Sequence, residues 1–157
     1  MTQTVSAEQR WKELGIELPP TPTPFGAYVE AVQSGKLLFL SGMLPVQGRE
    51  PKFLGRVGAE LEVEDGRRAA RLAALNAVAL AKHYLGSLDK VTRVIRLGVS
   101  IAATPDFREH PKVADGASEL LASVFGAEKT STRLVLGVAS LPLGTSVELE
   151  IIFEIEG

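Results

Sequence analysis

The stretch that most limits how this chain can fold lies between residues 131 and 150, where two apolar strand-like runs meet at a Leu-Pro turn. The first run, STRLVLGVASLP, has Arg133 as its third residue, and the second places Glu148 on the alternation of VELE. A guanidinium at the start of a buried strand needs an anion, because an unpaired buried charge is very costly. That anion is either an acid of the protein, such as Glu148 or Glu150, or the carboxylate of a ligand. Which of the two pairs with Arg133 decides what the chain does.

Length and composition narrow the class of protein. The 157 residues predict one domain with a core that needs no disulfide or metal. Cysteine is absent, which excludes disulfides, thiolate metal sites and a cysteine nucleophile. A formal net charge of -2 without any Lys/Arg-rich run argues against nucleic acid as a partner. We find no apolar run near the roughly 18 residues of a membrane span and no secretory signal, so we expect a cytoplasmic protein without a membrane partner.

Hydrophobic periodicity predicts an α+β domain with the element order β-β-α-β-α-β-β. The predicted elements are a hairpin over 28–32 and 36–41, an alanine-rich helix over 66–85 with Asp65 as N-cap, a strand over 91–103, a second helix ending near 125, and strands over 132–139 and 145–155. Alternation along 91–103 places Val91, Arg93, Ile95 and Leu97 on one side of the strand. Both helices are expected on one face of the sheet. The other face then needs a second subunit to cover it.

Residues 1–24 are predicted to be an extension of the domain formed by residues 25–157. A short amphipathic helix over 5–14 carries Trp11, and the polyproline-like strap PPTPTP follows it. Trp11 gives the extension a side chain to bury. We therefore expect the extension to pack across the body and narrow the site.

Four segments, taken in order, resemble the RidA/YjgF family of enamine/imine deaminases, also described as endoribonuclease L-PSP-like. The segments are FGAY (25–28), LSGMLP (40–45), TPDF (104–107), and the C-terminal pair 132–142 with Val147-Glu148. The resemblance implies a chorismate-mutase-like fold assembled as a homotrimer, with active sites in clefts between subunits. It also implies cofactor-free hydrolysis of 2-imino acids, a class of small carboxylate, to 2-oxo acids and ammonia.

The same resemblance implies that Arg133 holds the substrate carboxylate and that Tyr28, Ser41 and Glu148 line the pocket. From the chemistry of the reaction we further expect the Val135 carbonyl to orient water or the imine N–H. Glu148 is expected to relay protons between water and the leaving ammonia. The remaining predicted site residues are Tyr28, which donates to the carboxylate or caps the pocket, and Ser41 and Gly42, which line it. We expect no metal, because neither His83 nor His110 has a second ligand at metal spacing.

The chain departs from the family pattern in ways that indicate a divergent subgroup. Val135 stands where a cysteine is common, Ser131 stands where proline is usual, and Asp115 stands near the position of a helical asparagine. The extension over 1–24 has no counterpart in the short members of the family.

Each predicted site residue also has a purely structural interpretation. Arg133 can form an ion pair with Glu148 or Glu150, and Glu148 can belong to a solvated strand face. Tyr28 can be a hairpin or interface aromatic, and Ser41 can be a turn former. The alternative function is a non-catalytic trimer that binds a small carboxylate metabolite. RNA cleavage is disfavoured by the acidic composition and the lack of a histidine pair.

Overall fold

The computed structural model describes residues 5–157, in which the hydrophobic periodicities form three helices and seven strands. The helices are α1 (Ala7–Leu14), α2 (Val63–Leu85) and α3 (His110–Phe125). The strands, in chain order, are β1 (Ala31–Ser34), β2 (Leu37–Leu40), β3 (Val46–Gln47), β4 (Glu50–Pro51), β5 (Val91–Ala102), β6 (Thr132–Val138) and β7 (Val147–Ile155). The predicted α+β class and the order of the main elements are confirmed.

Five strands form one mixed sheet in the order β1-β2-β7-β5-β6, and β3 pairs with β4 in a separate ribbon. Strands β5 and β6 are parallel because α3 carries the chain back across the sheet between them, whereas the other neighbours are antiparallel. The last strand, β7, therefore lies in the middle of the sheet. The edges are β1 and β6, at opposite ends.

Small side chains let the helices approach closely on one face of the sheet. Helix α2 buries Ala69, Ala70, Ala73, Ala74 and Ala77 completely. On α3, a Cβ at Gly116 would lie 2.9 Å from the carbonyl carbon of Arg67 on α2. This helix pair therefore depends on glycine and alanine at the crossing.

The opposite face of the sheet is exposed and carries apolar side chains among charged ones. Phe39, Leu134 and Leu136 are 39%, 47% and 50% exposed, and they line one shallow cavity together with Arg96 and Glu150. Contiguous exposed apolar surface commonly marks an interaction site. The homotrimer remains a prediction, and this exposed face is suitable as its interface.

The extension is docked on the helical layer through its described part, residues 5–24, and its first four residues lie outside the described residues. Trp11 of α1 is only 8% exposed. Glu8 accepts hydrogen bonds from Lys82 Nζ at 3.0 Å and from the Leu88 N–H at 2.8 Å. The boundary at residue 24 between extension and domain stays a prediction.

Three local predictions were wrong. The first hairpin strand runs over Ala31–Ser34 rather than 28–32, because the turn lies at Gly35 and Lys36. Helix α2 begins at Val63 with Glu62 as N-cap, and Asp65 is the N3 residue, whose Oδ2 accepts the Glu62 N–H at 2.9 Å. In β5, register shifts between Val91 and Arg93 and between Val94 and Arg96 break the predicted alternation. As a result Val94 enters the core and Arg93 is exposed.

None of the helices in the described residues is both long and apolar enough to cross a bilayer.

Candidate functional site

The turn after β2 brings the chain against the beginning of β7. Met43 and Leu149 exchange backbone hydrogen bonds of 2.8 and 2.9 Å, which places Gly42 beside Glu148. A Cβ at Gly42 would lie 2.9 Å from the Glu148 carboxyl carbon and closer still to its oxygen. Glycine therefore leaves the Glu148 carboxylate in this position, whereas a Cβ at residue 42 would force the carboxylate to shift.

A buried asparagine of α2 anchors the same turn from the core side. Asn76, which is 2% exposed, donates through Nδ2 to the carbonyls of Leu44 and Val46, each at 2.9 Å. Two charge-neutral hydrogen bonds to one buried amide hold the turn rigidly against the helix. The sequence analysis did not identify Asn76. Its signal is the single amide within the buried alanine face of α2.

Four of the six predicted site residues line one open cavity of about 460 Å³. They are Tyr28, Ser41, Gly42 and Glu148, and the cavity is completed by Phe25, Leu44, Pro142 and Leu143. The cavity therefore has a polar part, which contains the carboxylate, and an apolar part. Sequence analysis did not assign the apolar part.

Glu148 is the chemically distinctive group of the cavity. Its side chain is half-buried, and burial raises the pKa of its carboxyl above the ordinary 4.5. Within residues 5–157 we find no hydrogen bond or ion pair to this carboxylate. A carboxyl in such surroundings can take up and release a proton closer to neutral pH than a solvated one.

Side-chain hydrogen bonds of Ser41 and Tyr28 fix the backbone at the opening of the cavity. Ser41 Oγ donates to the Val29 carbonyl at 2.6 Å, so the hydroxyl does act as a turn former. Tyr28 Oη accepts the Phe25 N–H at 3.0 Å, and the Tyr28 side chain is otherwise 43% exposed. Because that oxygen is an acceptor in this bond, its own hydrogen remains free to donate to a ligand.

Arg133 and Val135 lie on the edge strand β6, with β5 and β7 between them and β2. Arg133 Nη1 donates to Asp115 Oδ1 at 2.7 Å and to Ser118 Oγ at 3.1 Å on α3. Its side chain thus faces the helical layer, whereas Glu148 faces the open side with Leu134 and Leu136. Within one chain, the structure does not bring Arg133 together with Glu148.

The ion pair considered for Arg133 with Glu148 or Glu150 is absent among the described residues. Glu150 instead accepts from Arg96 Nε at 3.1 Å. Asp115 and Ser118, one turn apart on α3, present their side chains on the same face toward Arg133. This three-residue spacing is the signal that could have identified them.

No group of three or more His, Asp or Glu side chains in the part of the chain that the structure describes is arranged to hold a metal ion.

The chain is similar to known proteins over nearly its whole length. A family model described as "YjgF/chorismate_mutase-like, putative endoribonuclease" matches residues 8–155. A Trypanosoma cruzi protein called TCP17 is 42% identical over 145 residues, which is 92% of this chain and 91% of that protein. A crystal structure of a protein of unknown function from Agrobacterium tumefaciens is similar with a TM-score of 0.87 at 41% identity, covering 96% of this chain and 92% of that one. A 2-iminobutanoate/2-iminopropanoate deaminase from Dermatophagoides farinae is 30% identical over 141 residues, covering 90% and 95% of the two chains.

Proposed function

The chain belongs to the YjgF/RidA family, and from that premise we propose that it hydrolyses 2-imino acids, and the enamines in equilibrium with them, to 2-oxo acids and ammonia. The observation that carries the proposal is the half-buried Glu148 carboxyl, whose pKa burial raises, in a cavity shared with Tyr28 and Ser41. The similarity to a protein named as a 2-iminobutanoate/2-iminopropanoate deaminase supports the same chemistry.

The reaction needs little more than positioning and proton transfer, because the C=N carbon of a 2-imino acid is already electrophilic. In the protonated imine, Glu148 takes a proton from water as the water oxygen bonds to that carbon, and the C=N electron pair moves to nitrogen, which gives a carbinolamine with a neutral amine. Return of this proton to the amine makes it a leaving group, and the C–N bond breaks as the hydroxyl oxygen forms the carbonyl. The hydroxyl proton leaves with ammonia as ammonium, the other product is the 2-oxo acid, and Glu148 is again a carboxylate. A raised pKa suits a group that must both accept and donate.

The substrate carboxylate needs a cation, and we assign that role to Arg133 of a neighbouring subunit. Within one chain Arg133 faces the helical layer and Glu148 faces the open side of the sheet, so a neighbouring subunit is needed to bring an Arg133 side chain to the Glu148 cavity. We propose a homotrimer in which Arg133 and Val135 of one subunit complete the Glu148 cavity of the next. The exposed apolar face around Phe39 and Leu136 supports such an assembly.

The contacts of Arg133 within its own chain are compatible with this role. Asp115 and Ser118 both receive hydrogen bonds from Nη1 alone. The guanidinium has five N–H donors in a planar fork, so Nε and Nη2 remain to pair with both oxygens of a carboxylate. The ion pair with Asp115 would hold the Arg133 guanidinium so that its Nε and Nη2 groups are presented to the substrate carboxylate.

The test is a coupled assay in which an amino-acid oxidase supplies 2-iminopropanoate or 2-iminobutanoate and oxo-acid release is followed. We expect the wild-type protein to accelerate release, and Glu148→Gln to lower the rate at least roughly 100-fold. Arg133→Ala is expected to lose activity mainly through a raised KM. Glu154→Gln, on the same strand and the same face, serves as the matched control and should keep the wild-type rate.

Binding of 2-oxobutanoate, measured by calorimetry, separates an enzyme from a carboxylate-binding module. If Glu148→Gln binds the oxo acid but does not turn over imines, the deaminase proposal holds. A wild-type protein that binds the oxo acid yet never accelerates hydrolysis contradicts the proposal and favours the non-catalytic function.

A further inference from the structure

The apolar part of the Glu148 cavity has no role in the proton chemistry. Phe25, Leu44, Pro142 and Leu143 contribute its apolar lining, and the polar groups of Tyr28 and Glu148 belong to the same cavity. A 2-imino acid has the same division, because its carboxylate and imine lie at one end and its side chain at the other. When the polar end is held at Glu148, the substrate side chain has the apolar wall beside it.

Leu143 occupies a position that folding alone does not explain. Its φ of 61° and ψ of 15° lie in the left-handed region, which is strained for a residue with a branched side chain. Its side chain is also 48% exposed, so burial in the core does not offset the strain. Glycine or asparagine would fit the backbone with less strain. A leucine at this position presents an apolar group at the rim of the cavity.

Two hydrogen bonds hold the turn that carries Leu143. Thr145 Oγ1 donates to the Pro142 carbonyl at 2.8 Å, and the Gly55 N–H donates to the Gly144 carbonyl at 3.0 Å. Thr145 itself is only 1% exposed. Leu143 is therefore presented by an anchored turn.

Phe25 is a second apolar residue of the wall and is fixed by the strap that leads from the extension. The guanidinium carbon of Arg49 lies 4.5 Å from the centroid of the Phe25 ring, a cation–π contact. Arg49 Nη1 also donates to Thr23 Oγ1 at 2.9 Å and to the Pro24 carbonyl at 3.2 Å. The wall is thus preformed at Phe25 and at Leu143, which lowers the entropic cost of ordering it around a ligand.

We infer that Phe25 and Leu143 form a side-chain pocket that makes the protein selective for 2-imino acids with large apolar side chains, such as those of leucine, methionine or phenylalanine. The inference rests on the proposed function, because it names the substrate class of the same site. The apolar lining formed by Phe25, Leu44, Pro142 and Leu143 offers more contact surface than the methyl group of 2-iminopropanoate can cover. Each additional methylene in an apolar pocket raises kcat/KM by roughly 10-fold or more.

The experiment measures kcat/KM for a series of 2-imino acids generated by an amino-acid oxidase from alanine, 2-aminobutanoate, leucine and phenylalanine. We expect the leucine-derived imine to exceed 2-iminopropanoate by at least about 10-fold in the wild-type protein. Leu143→Asn, which suits the left-handed backbone, should lower this selectivity ratio at least about fivefold. Phe25→Ala should lower it in the same direction. Leu54→Asn changes an exposed leucine outside the cavity and is expected to leave the ratio at the wild-type value.

Two results would overturn the inference: no preference for the larger imines in the wild-type protein, or an unchanged ratio in both Leu143→Asn and Phe25→Ala. If no imine is hydrolysed, the proposed function has failed, and calorimetry tests the pocket independently. Tighter binding of 4-methyl-2-oxopentanoate than of pyruvate, weakened by Leu143→Asn, would support the pocket. Equal affinities for the two oxo acids would reject it.

Discussion

At the scale of single residues, Gly42 and Glu148 depend on each other. The absence of a side chain on Gly42 gives the Glu148 carboxylate its place in the cavity, half withdrawn from water. Burial of this carboxyl disfavours its charged form and raises its pKa. The Glu148 carboxylate therefore lowers the free energy of unfolding at neutral pH. Such unfavourable ionisable groups are common at functional sites.

Glu148→Gln is expected to reveal this cost as a change in the pH dependence of stability. The folded-state pKa lies above 4.5, so the folded protein holds this proton more tightly than the unfolded chain. The stabilisation is fully present below about pH 4.5 and is lost as the pH rises through the folded-state pKa. Glutamine cannot ionise, so the melting temperature of the variant should rise relative to wild type between pH 4 and pH 8. Parallel pH profiles for the two proteins would contradict the prediction.

At the scale of elements, the sequence predicted the helices and main strands well because their apolar periodicities are strong. The sequence did not predict the register shifts in β5. One extra residue moves all following side chains to the other face of the sheet without changing the composition of the strand. The burial of Val94 is an example. The sequence also did not reveal that Arg133 and Glu148 lie apart. Strand β5 lies between β6 and β7, and the two side chains face opposite sides of the sheet, an arrangement set by long-range strand pairing that neither strand's sequence encodes.

The crossing of α2 and α3 provides a test at this scale. In Gly116→Ala the new methyl group would lie 2.9 Å from the Arg67 carbonyl carbon, and backbone cannot rotate away as a side chain can. Overpacking of this kind costs about 1–3 kcal/mol, more than the roughly 1 kcal/mol that alanine gains over glycine in a helix. We expect the melting temperature to fall by roughly 2–6 °C.

Ser123→Ala, on an exposed position of the same helix, should change the melting temperature little and controls for helix propensity. If Gly116→Ala is as stable as this control, α2 and α3 can move slightly apart without a loss of stability, and the prediction is wrong.

At the scale of the whole molecule, one face of the sheet is covered by helices and the other is exposed to solvent. One is sealed by α2 and α3, whose packing leaves Leu149, Ile151 and Phe153 with no exposed surface. The other presents Phe39, Leu134 and Leu136 to solvent. The residues proposed to act together, Arg133 and Glu148, face opposite sides of the sheet in one chain. Assembly is therefore expected to be a condition of activity.

Leu136→Glu is expected to disrupt the proposed trimer, because a carboxylate buried in an apolar interface is strongly unfavourable. Multi-angle light scattering should report the mass of three chains for the wild-type protein and a smaller mass for the variant, with activity lost in parallel. Tyr84→Glu places the same charge on an exposed aromatic of α2 and should leave the mass unchanged. A wild-type protein that is monomeric and fully active would contradict the assembly proposal.

The central position of β7 also has a consequence for the chain during its synthesis on the ribosome. Strands β2 and β5 pair with β7 rather than with each other, so the hairpin β1-β2 and the pair β5-β6 share no strand contact until residues 147–155 emerge. A nascent chain lacking those residues exposes two unpaired strand edges, which readily pair with other chains. We therefore expect the sheet to close only after residue 155 has left the exit tunnel, and chaperones that cover strand edges to matter most during this interval.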